Sequence, residues 1–150
     1  MSGYAELHAL TNFSFLVGAS RPSEMVATAA ELAYEAIAIT DQCSFAGVVR
    51  AHEEAQRRHL PLIIGSELTC QDGLTVIGLA QNRRGYGRLS QLITKARRAA
   101  PKGSYLLNRD ELPTLDDCLL LWLPAWNVDR RRTPSHWRRP RATALIDNAG

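Results

Sequence analysis

The first 123 residues alternate short apolar runs with segments whose apolar residues recur at helical spacing, and this alternation constrains the fold most. The run at residues 36–40 contains almost no polar side chain, which is typical of a strand buried on both faces of a parallel sheet. Strands are predicted at residues 4–10, 36–40, 60–65, 74–80 and 119–123. The alternation with helices predicts βαβ units, and therefore an α/β fold with mostly parallel strands.

Helical spacing and local signals place three helices between these strands. They are predicted from an N-cap at Ser20 to about residue 34, over residues 45–58, and over about residues 87–100. Residues 82–86 are expected to form a loop, and residues 71–73 a turn. A closed eightfold βα barrel needs about 250 residues. The chain has 150 residues, which predicts a small open sheet or part of a barrel.

Composition changes abruptly near residue 125, where the periodic apolar pattern ends. Residues 1–125 carry a net charge of −1 and residues 126–150 a net charge of +4, so nothing in the main body predicts a polyanionic partner. We divide the chain into a domain at residues 1–124 and a basic tail, rich in Arg, Trp and Pro, at residues 125–150. Three interpretations of the tail stay open: a disordered segment, a nucleic-acid contact through arginine and stacked tryptophan, or out-of-frame residues foreign to the fold.

Composition gives no indication of secretion or of a membrane span. No apolar run approaches the roughly 20 residues that a membrane-spanning helix needs, and residues 1–6 do not resemble a signal peptide. The three cysteines, Cys43, Cys70 and Cys118, are widely spaced and odd in number. We therefore expect a cytoplasmic protein with reduced thiols, in which Cys43 is a buried and inert thiol.

Three side chains of the kind that bind metals follow the ends of predicted strands. They are His8, Asp41 and Glu67, an imidazole and two carboxylates that suit Zn or Mn. Because ligands collect at the carboxyl ends of parallel strands, the pattern predicts that the three meet at one rim. Each also has a structural interpretation: His8 as a hydrogen-bonding residue, Asp41 as a cap of the next helix, and Glu67 as a solvated turn residue.

The order of several segments adds a family resemblance. Residues 4–8 and 11–20 resemble the opening of the PHP (polymerase and histidinol phosphatase) domain of bacterial C-family DNA polymerases. The likeness continues through residues 38–52, 62–68 and 82–94, in order over about residues 3–123. Within that family the chain is most similar to error-prone polymerases of the ImuC type.

The resemblance implies a partial PHP-type (β/α)7 barrel. Active PHP domains hold metal ions with a His-x-His pair, an Asp-His step and a Glu. His8, Asp41 and Glu67 match three of these positions, whereas Leu10 and Gln42 replace the two other histidines. Leucine offers no lone pair and glutamine only a neutral amide oxygen. We therefore expect remnant ligands, no bound cofactor and a catalytically silent module. The alternative is a standalone metal-dependent phosphoesterase that uses Zn or Mn.

The resemblance also implies a role in damage-induced translesion synthesis, in a fragment that itself has no polymerase activity. The implied partners are the remainder of the polymerase chain, a Y-family polymerase homologue, an accessory mutagenesis protein and the sliding clamp. DNA would be bound through domains that this chain does not contain, and no membrane is involved. An incomplete barrel predicts an exposed sheet edge after the last strand. It also predicts poor cover, and hence marginal stability, at Ile37, Ile39, Ile63 and Val76.

Overall fold

The computed structural model describes residues 3–124. Within them lie five strands, three α-helices and one short 3-10 helix. The strands are β1 Ala5–Ala9, β2 Ala36–Ile39, β3 Leu62–Thr69, β4 Thr75–Ala80 and β5 Cys118–Leu123. The helices are α1 Pro22–Glu31, α2 Val48–Arg58 and α3 Arg83–Arg98, and the 3-10 helix is Arg109–Thr114. All five predicted strands are confirmed. The third is longer than expected, so that Glu67 lies inside it instead of after it.

The five strands form one sheet in the order β1-β2-β3-β4-β5, with β1 and β5 as its edges within the described residues. The first three strands are parallel, but β3 pairs with β4 and β4 with β5 in antiparallel fashion. The expectation of mostly parallel strands is therefore wrong for half of the pairings. For β3 and β4 the cause is the short turn at residues 71–73, since a connection of that length can join only antiparallel neighbours. Gly73 takes a left-handed backbone there, with φ +85°.

The boundaries of α1 differ from the prediction at both ends. Ser20 is not the N-cap: the helix begins at Pro22, and the Glu24 side chain accepts a hydrogen bond from the backbone N–H of Arg21 at 2.8 Å. It ends at Glu31 instead of at residue 34, because Ala33 turns to a left-handed conformation with φ 57°. The predicted start was one residue early, and the predicted end three residues late.

Helix α3 begins four residues earlier than predicted, so the expected loop at residues 82–86 is wrong. The Asn82 side chain accepts hydrogen bonds from the backbone N–H groups of Arg84 at 2.9 Å and Gly85 at 3.0 Å. Asn82 is therefore an N-cap residue. Gly85 allows the first turn of α3 to approach the 116–118 segment closely, since a Cβ at this position would lie 2.1 Å from the carbonyl oxygen of Asp117.

The helices cover one face of the sheet. Ile37 and Ile39 pack against α1 and α2, and Val76 packs with Leu68 and α3. These three isoleucine and valine side chains are 1–5% exposed, so the expectation that they are poorly covered is wrong. They point to the helix layer, whereas half-buried Ile63 lies on the opposite face with Ala38, Ile77 and Leu79. Alternation along each strand explains the difference.

Strand β5 is the less protected edge of the sheet. Leu119, Leu120 and Trp122 are 52%, 42% and 44% exposed, respectively. Within the part of the chain that the structure describes, no helix is long and apolar enough to cross a membrane. The predicted tail at residues 125–150 lies outside the described residues, and so its three interpretations stay predictions.

Candidate functional site

His8 and Glu67 meet at the carboxyl ends of the parallel strands. His8 lies near the end of β1, and Glu67 lies on β3, where it is only 8% exposed. His8 Nε2 and Glu67 Oε2 are 2.8 Å apart, which is a short hydrogen bond. The irregular register between Glu6 and Ala9 shifts the last residues of β1 relative to β2. The structure thus brings these two of the three predicted rim residues together.

Gln42 completes the contacts of Glu67. It forms an isolated parallel bridge with Glu67, and its side-chain Nε2 donates to Glu67 Oε1 at 2.9 Å. The hydrogen bond from His8 lowers the pKa of the Glu67 carboxyl, burial opposes that shift, and the Gln42 amide reinforces it. Glu67 is therefore an ionised carboxylate at neutral pH, with one hydrogen-bond donor on each oxygen.

Asp41 is buried, with 1% of its surface exposed, but its carboxylate is directed at the loop that follows β1. Oδ1 accepts hydrogen bonds from the Thr11 backbone N–H at 2.8 Å and from the Ser14 hydroxyl at 2.7 Å. Oδ2 accepts a third from the Thr11 hydroxyl at 2.8 Å. Both oxygens are thus used to hold residues 11–14. The structure does not join Asp41 to His8 and Glu67 in one ligand group, which corrects the expected three-residue rim.

The chemistry of this donor set does not match a Zn or Mn site. Among residues 3–124, no three His, Cys, Asp or Glu side chains are grouped so that they could hold a metal ion. The two carboxylates are already bound by donors of the chain, and Leu10 and Gln42 contribute no imidazole. The arrangement provides a hydrogen-bond network of His8, Glu67 and Gln42, which joins β1, β3 and the segment after β2.

Arg97 on α3 supports this hydrogen-bond network, a role that the sequence analysis does not predict. Its guanidinium donates to the carbonyl oxygens of Gln42 at 2.9 Å and Cys43 at 3.0 Å, and it lies over the Tyr105 ring. It thereby holds the backbone that carries the Gln42 amide. No local signal points to this role, since the partners are 54 and 55 residues apart in the chain.

Cys43, beside the rim, matches its predicted burial. The residue is 0% exposed, and burial raises the pKa of its thiol to about 11 against the opposing effect of Arg97. A thiol with so high a pKa is almost entirely protonated at neutral pH and is a weak nucleophile. The three cysteines are all free thiols.

Comparison with curated proteins finds a consistent set of relatives. Error-prone DNA polymerases of Methylococcus capsulatus, Dechloromonas aromatica and Pseudomonas aeruginosa are 58%, 55% and 46% identical over 123, 130 and 142 residues. These matches cover 81%, 83% and 94% of this chain, but only 12%, 13% and 14% of the relatives. The chain therefore spans about one eighth of the length of the polymerases that it matches.

Among solved structures, the fold resembles a protein described as a metal-dependent phosphoesterase, from Bifidobacterium adolescentis. The TM-score is 0.55 at 25% identity, over 66% of this chain and 35% of that one. An amidohydrolase from Chromobacterium violaceum is similar, with a TM-score of 0.55 and 25% identity over 65% of this chain and 34% of that one. The five strands of the chain thus correspond to a curled, half-barrel part of a larger α/β structure. The family model described as "PHP domain" matches residues 6–120, and the chain belongs to the PHP domain family.

Proposed function

We propose that this chain is the N-terminal PHP segment of an error-prone DNA polymerase of the ImuC type, where it has a structural role. The observation that carries the proposal is 58% identity to an error-prone DNA polymerase over 123 residues, with a match that covers only 12% of that protein. The activity that gives the relatives their name would then reside in sequence beyond this segment. Translesion synthesis after DNA damage, in the cytoplasm, is the process in which the complete polymerase would act.

The contacts of Glu67 support a structural role for the rim. The two oxygens of Glu67 accept hydrogen bonds from His8 and Gln42, so the imidazole and the carboxylate are bonded to each other instead of being directed together at an ion. The Gln42 amide supplies a donor at the position where the family has a histidine ligand. The PHP segment would therefore be stabilised by its own side chains, without activated water for phosphoester hydrolysis.

A second candidate function is a standalone metal-dependent phosphoesterase. The observation in its favour is the fold likeness to the Bifidobacterium adolescentis protein at 25% identity. In that case His8 and Glu67 would have to exchange their mutual hydrogen bond for bonds to Zn or Mn.

A phosphoesterase assay separates the two candidates. The purified chain is incubated with a chromogenic phosphoester and Mn or Zn, alongside the His8→Ala variant and a metal-free control. We expect no metal-dependent turnover from the wild-type chain. Turnover that requires metal and disappears in His8→Ala would overturn the structural role and establish the second candidate.

A chimaera tests the polymerase assignment itself. The matched 123-residue segment of the Methylococcus capsulatus polymerase is replaced by residues 3–124 of this chain, and primer extension is measured. We expect extension comparable to the parent polymerase, because the two segments are 58% identical over the matched residues. An inactive chimaera, beside an active parent, would contradict the assignment. The proposed partners, a Y-family homologue, an accessory mutagenesis protein and the sliding clamp, can then be tested for binding to the active chimaera.

A further inference from the structure

The loop after β1 presents three consecutive apolar side chains to solvent. Phe15 is 83% exposed, Leu16 105% and Val17 56%. We call these residues the apolar loop tip. Exposed apolar side chains are common singly, but a contiguous group at the end of one loop is a feature of interaction sites.

The backbone that carries the apolar loop tip is held in place. Asn12 N–H donates to the Ser20 carbonyl oxygen at 2.9 Å, which closes the loop at its base. The Ser14 carbonyl oxygen accepts from the N–H groups of Val17 at 3.1 Å and Gly18 at 3.0 Å. A Cβ on Gly18 would lie 2.0 Å from the Thr11 carbonyl oxygen, so glycine permits this close return of the chain. The tip is therefore preorganised, which reduces the entropy lost on binding.

Leu16 occupies a conformation that is unfavourable for its residue type. Its φ is 64°, in the left-handed region where a Cβ clashes with the backbone. The side chain is fully exposed, so no burial within the described chain compensates for this conformation. Strained backbone is commonly found at sites of function. An exposed leucine held in this way favours the interpretation that it is bound by something else.

The composition of the loop specifies the chemistry of its partner. Residues 9–20 contain no charged side chain, whereas proteins that bind nucleic acid place Lys or Arg against the phosphates. Aliphatic Leu16 and Val17 instead fit an apolar pocket. The matching pocket is thus apolar.

The small size of the patch indicates where the pocket lies. A stable complex between separate proteins buries about 1,200–2,000 Å², far more than three loop side chains supply. A covalently connected partner needs much less, because the connection keeps its effective concentration high. The matched polymerases are about eight times as long as the part that this chain covers, so most of their sequence is available as a connected partner.

We infer that the apolar loop tip docks into an apolar pocket on the remaining part of the polymerase chain. The inference rests on the proposed function. It names the surface through which the PHP segment contacts its neighbouring domains, namely Phe15, Leu16 and Val17, with Leu16 at the centre. A tip on a rigid loop would set the position of the segment without contributing to its own fold.

Hydrogen exchange in the chimaera described above tests this inference. We expect the backbone amides of residues 12–18 to exchange at least tenfold more slowly in the chimaera than in the isolated chain. Leu16→Asp should abolish this difference, and the side chain is exposed enough for the variant to fold. The matched control is Leu32→Asp, an equally drastic change at a 60% exposed leucine at the far end of α1, which should retain the slow exchange.

The possible outcomes distinguish this inference from the function on which it rests. A chimaera that extends primers but shows no slower exchange at residues 12–18, or the same exchange with Leu16→Asp, overturns the docking role and leaves the polymerase assignment intact. A chimaera that is inactive overturns the assignment and the docking role together. Slower exchange in the isolated chain that depends on its concentration would show a second copy as the occupant, and would also overturn the inference.

Discussion

The base and the tip of the loop after β1 lie within a few residues of each other and have opposite surroundings. At the base, Thr11 and Ser14 are 0% and 2% exposed, and both donate to the buried Asp41 carboxylate. At the tip, Phe15 and Leu16 are 83% and 105% exposed. Among the described residues, no buried side-chain nitrogen or oxygen lacks a hydrogen-bond partner. The chain thus satisfies its buried polar groups internally and leaves apolar ones at the tip uncovered.

This contrast shows that the buried carboxylates are held by donors of their own chain. The carboxylate oxygens of Glu67 and Asp41 all accept hydrogen bonds from side chains or backbone N–H groups. Such a carboxylate stabilises the fold through the donors it orders, whereas one facing a metal would depend on the ion. The base is therefore expected to control stability and the tip to control association.

The largest effect on stability is expected at the base. Asp41→Ala removes the acceptor of three hydrogen bonds and leaves the donors of Thr11 and Ser14 buried without a partner. The expected loss is about 3 kcal/mol or more, since each unsatisfied buried group costs about 1–3 kcal/mol. Urea unfolding of the purified chain measures it.

Asp41→Asn is the matched control for that variant. It keeps the carbonyl oxygen that can accept from Thr11 N–H and the Ser14 hydroxyl, so we expect a loss smaller than that of Asp41→Ala. A stability of Asp41→Ala within about 0.5 kcal/mol of the wild type, the range of neutral surface changes, would show that the base does not depend on this carboxylate.

A smaller, pH-dependent effect is expected at Glu67. The folded chain lowers the pKa of this carboxyl, so its contribution is present above the unfolded pKa of about 4.3 and is lost as pH falls through the folded value. Glu67→Gln should cost about 1.5–3 kcal/mol at pH 7, the range for hydrogen bonds to a charged group, and the difference from wild type should shrink below pH ~4. The free energy of unfolding of the wild type and of Glu67→Gln, measured from pH 7 to pH 3, tests the loss at pH 7 and its decrease at low pH.

The exposed Glu53 on α2 supplies the comparison for the pH series. Glu53→Gln should have the same stability as the wild type at pH 7, within about 0.5 kcal/mol. If the free energy of unfolding of Glu67→Gln depended on pH in the same way as that of Glu53→Gln, the contacts with His8 and Gln42 would not stabilise the carboxylate.

The smallest effect, with the opposite sign, is expected at the tip. Leu16→Asn should stabilise the isolated chain by about 1 kcal/mol, because asparagine tolerates the left-handed conformation that costs leucine about 1–2 kcal/mol. Val17→Asn has no such strain to relieve and should give no gain. Thermal unfolding of the two variants measures the difference in stability. A Leu16→Asn variant less stable than the wild type would show that the left-handed conformation of Leu16 is not strained.

Local sequence signals located much of this structure. The β-branched run that became β2 and the apolar stripe of α3 are periodic patterns that hydrophobic burial imposes on any chain of this kind. The Asn82 cap also has a local signal, since asparagine before a helical stripe is a typical N-cap, although Asn82 lies in the segment predicted as a loop. The antiparallel pairing of β3 with β4 follows from a turn of three residues, which is too short to join parallel strands.

Other features have no local signal because they depend on distant partners. Arg97 is one of several arginines on α3, and only the packing of that helix against the 42–43 backbone distinguishes it. The direction of the Asp41 carboxylate is similar: its position after β2 was readable, but the return of residues 11–14 decided which donors it receives.

Residue type and spacing, which are local properties of the chain, were enough to give the α/β class, the five strands, and His8, Asp41 and Glu67 as the rim candidates. That Leu10 and Gln42 stand at ligand positions is implied only by the family resemblance. Only the tertiary structure decided that Glu67 is joined to His8 and Gln42 while Asp41 serves a separate loop. The physical reason is that hydrogen bonds form between groups brought together by strand order and loop closure, and a strand-end position does not specify the direction in which its side chain finds a partner.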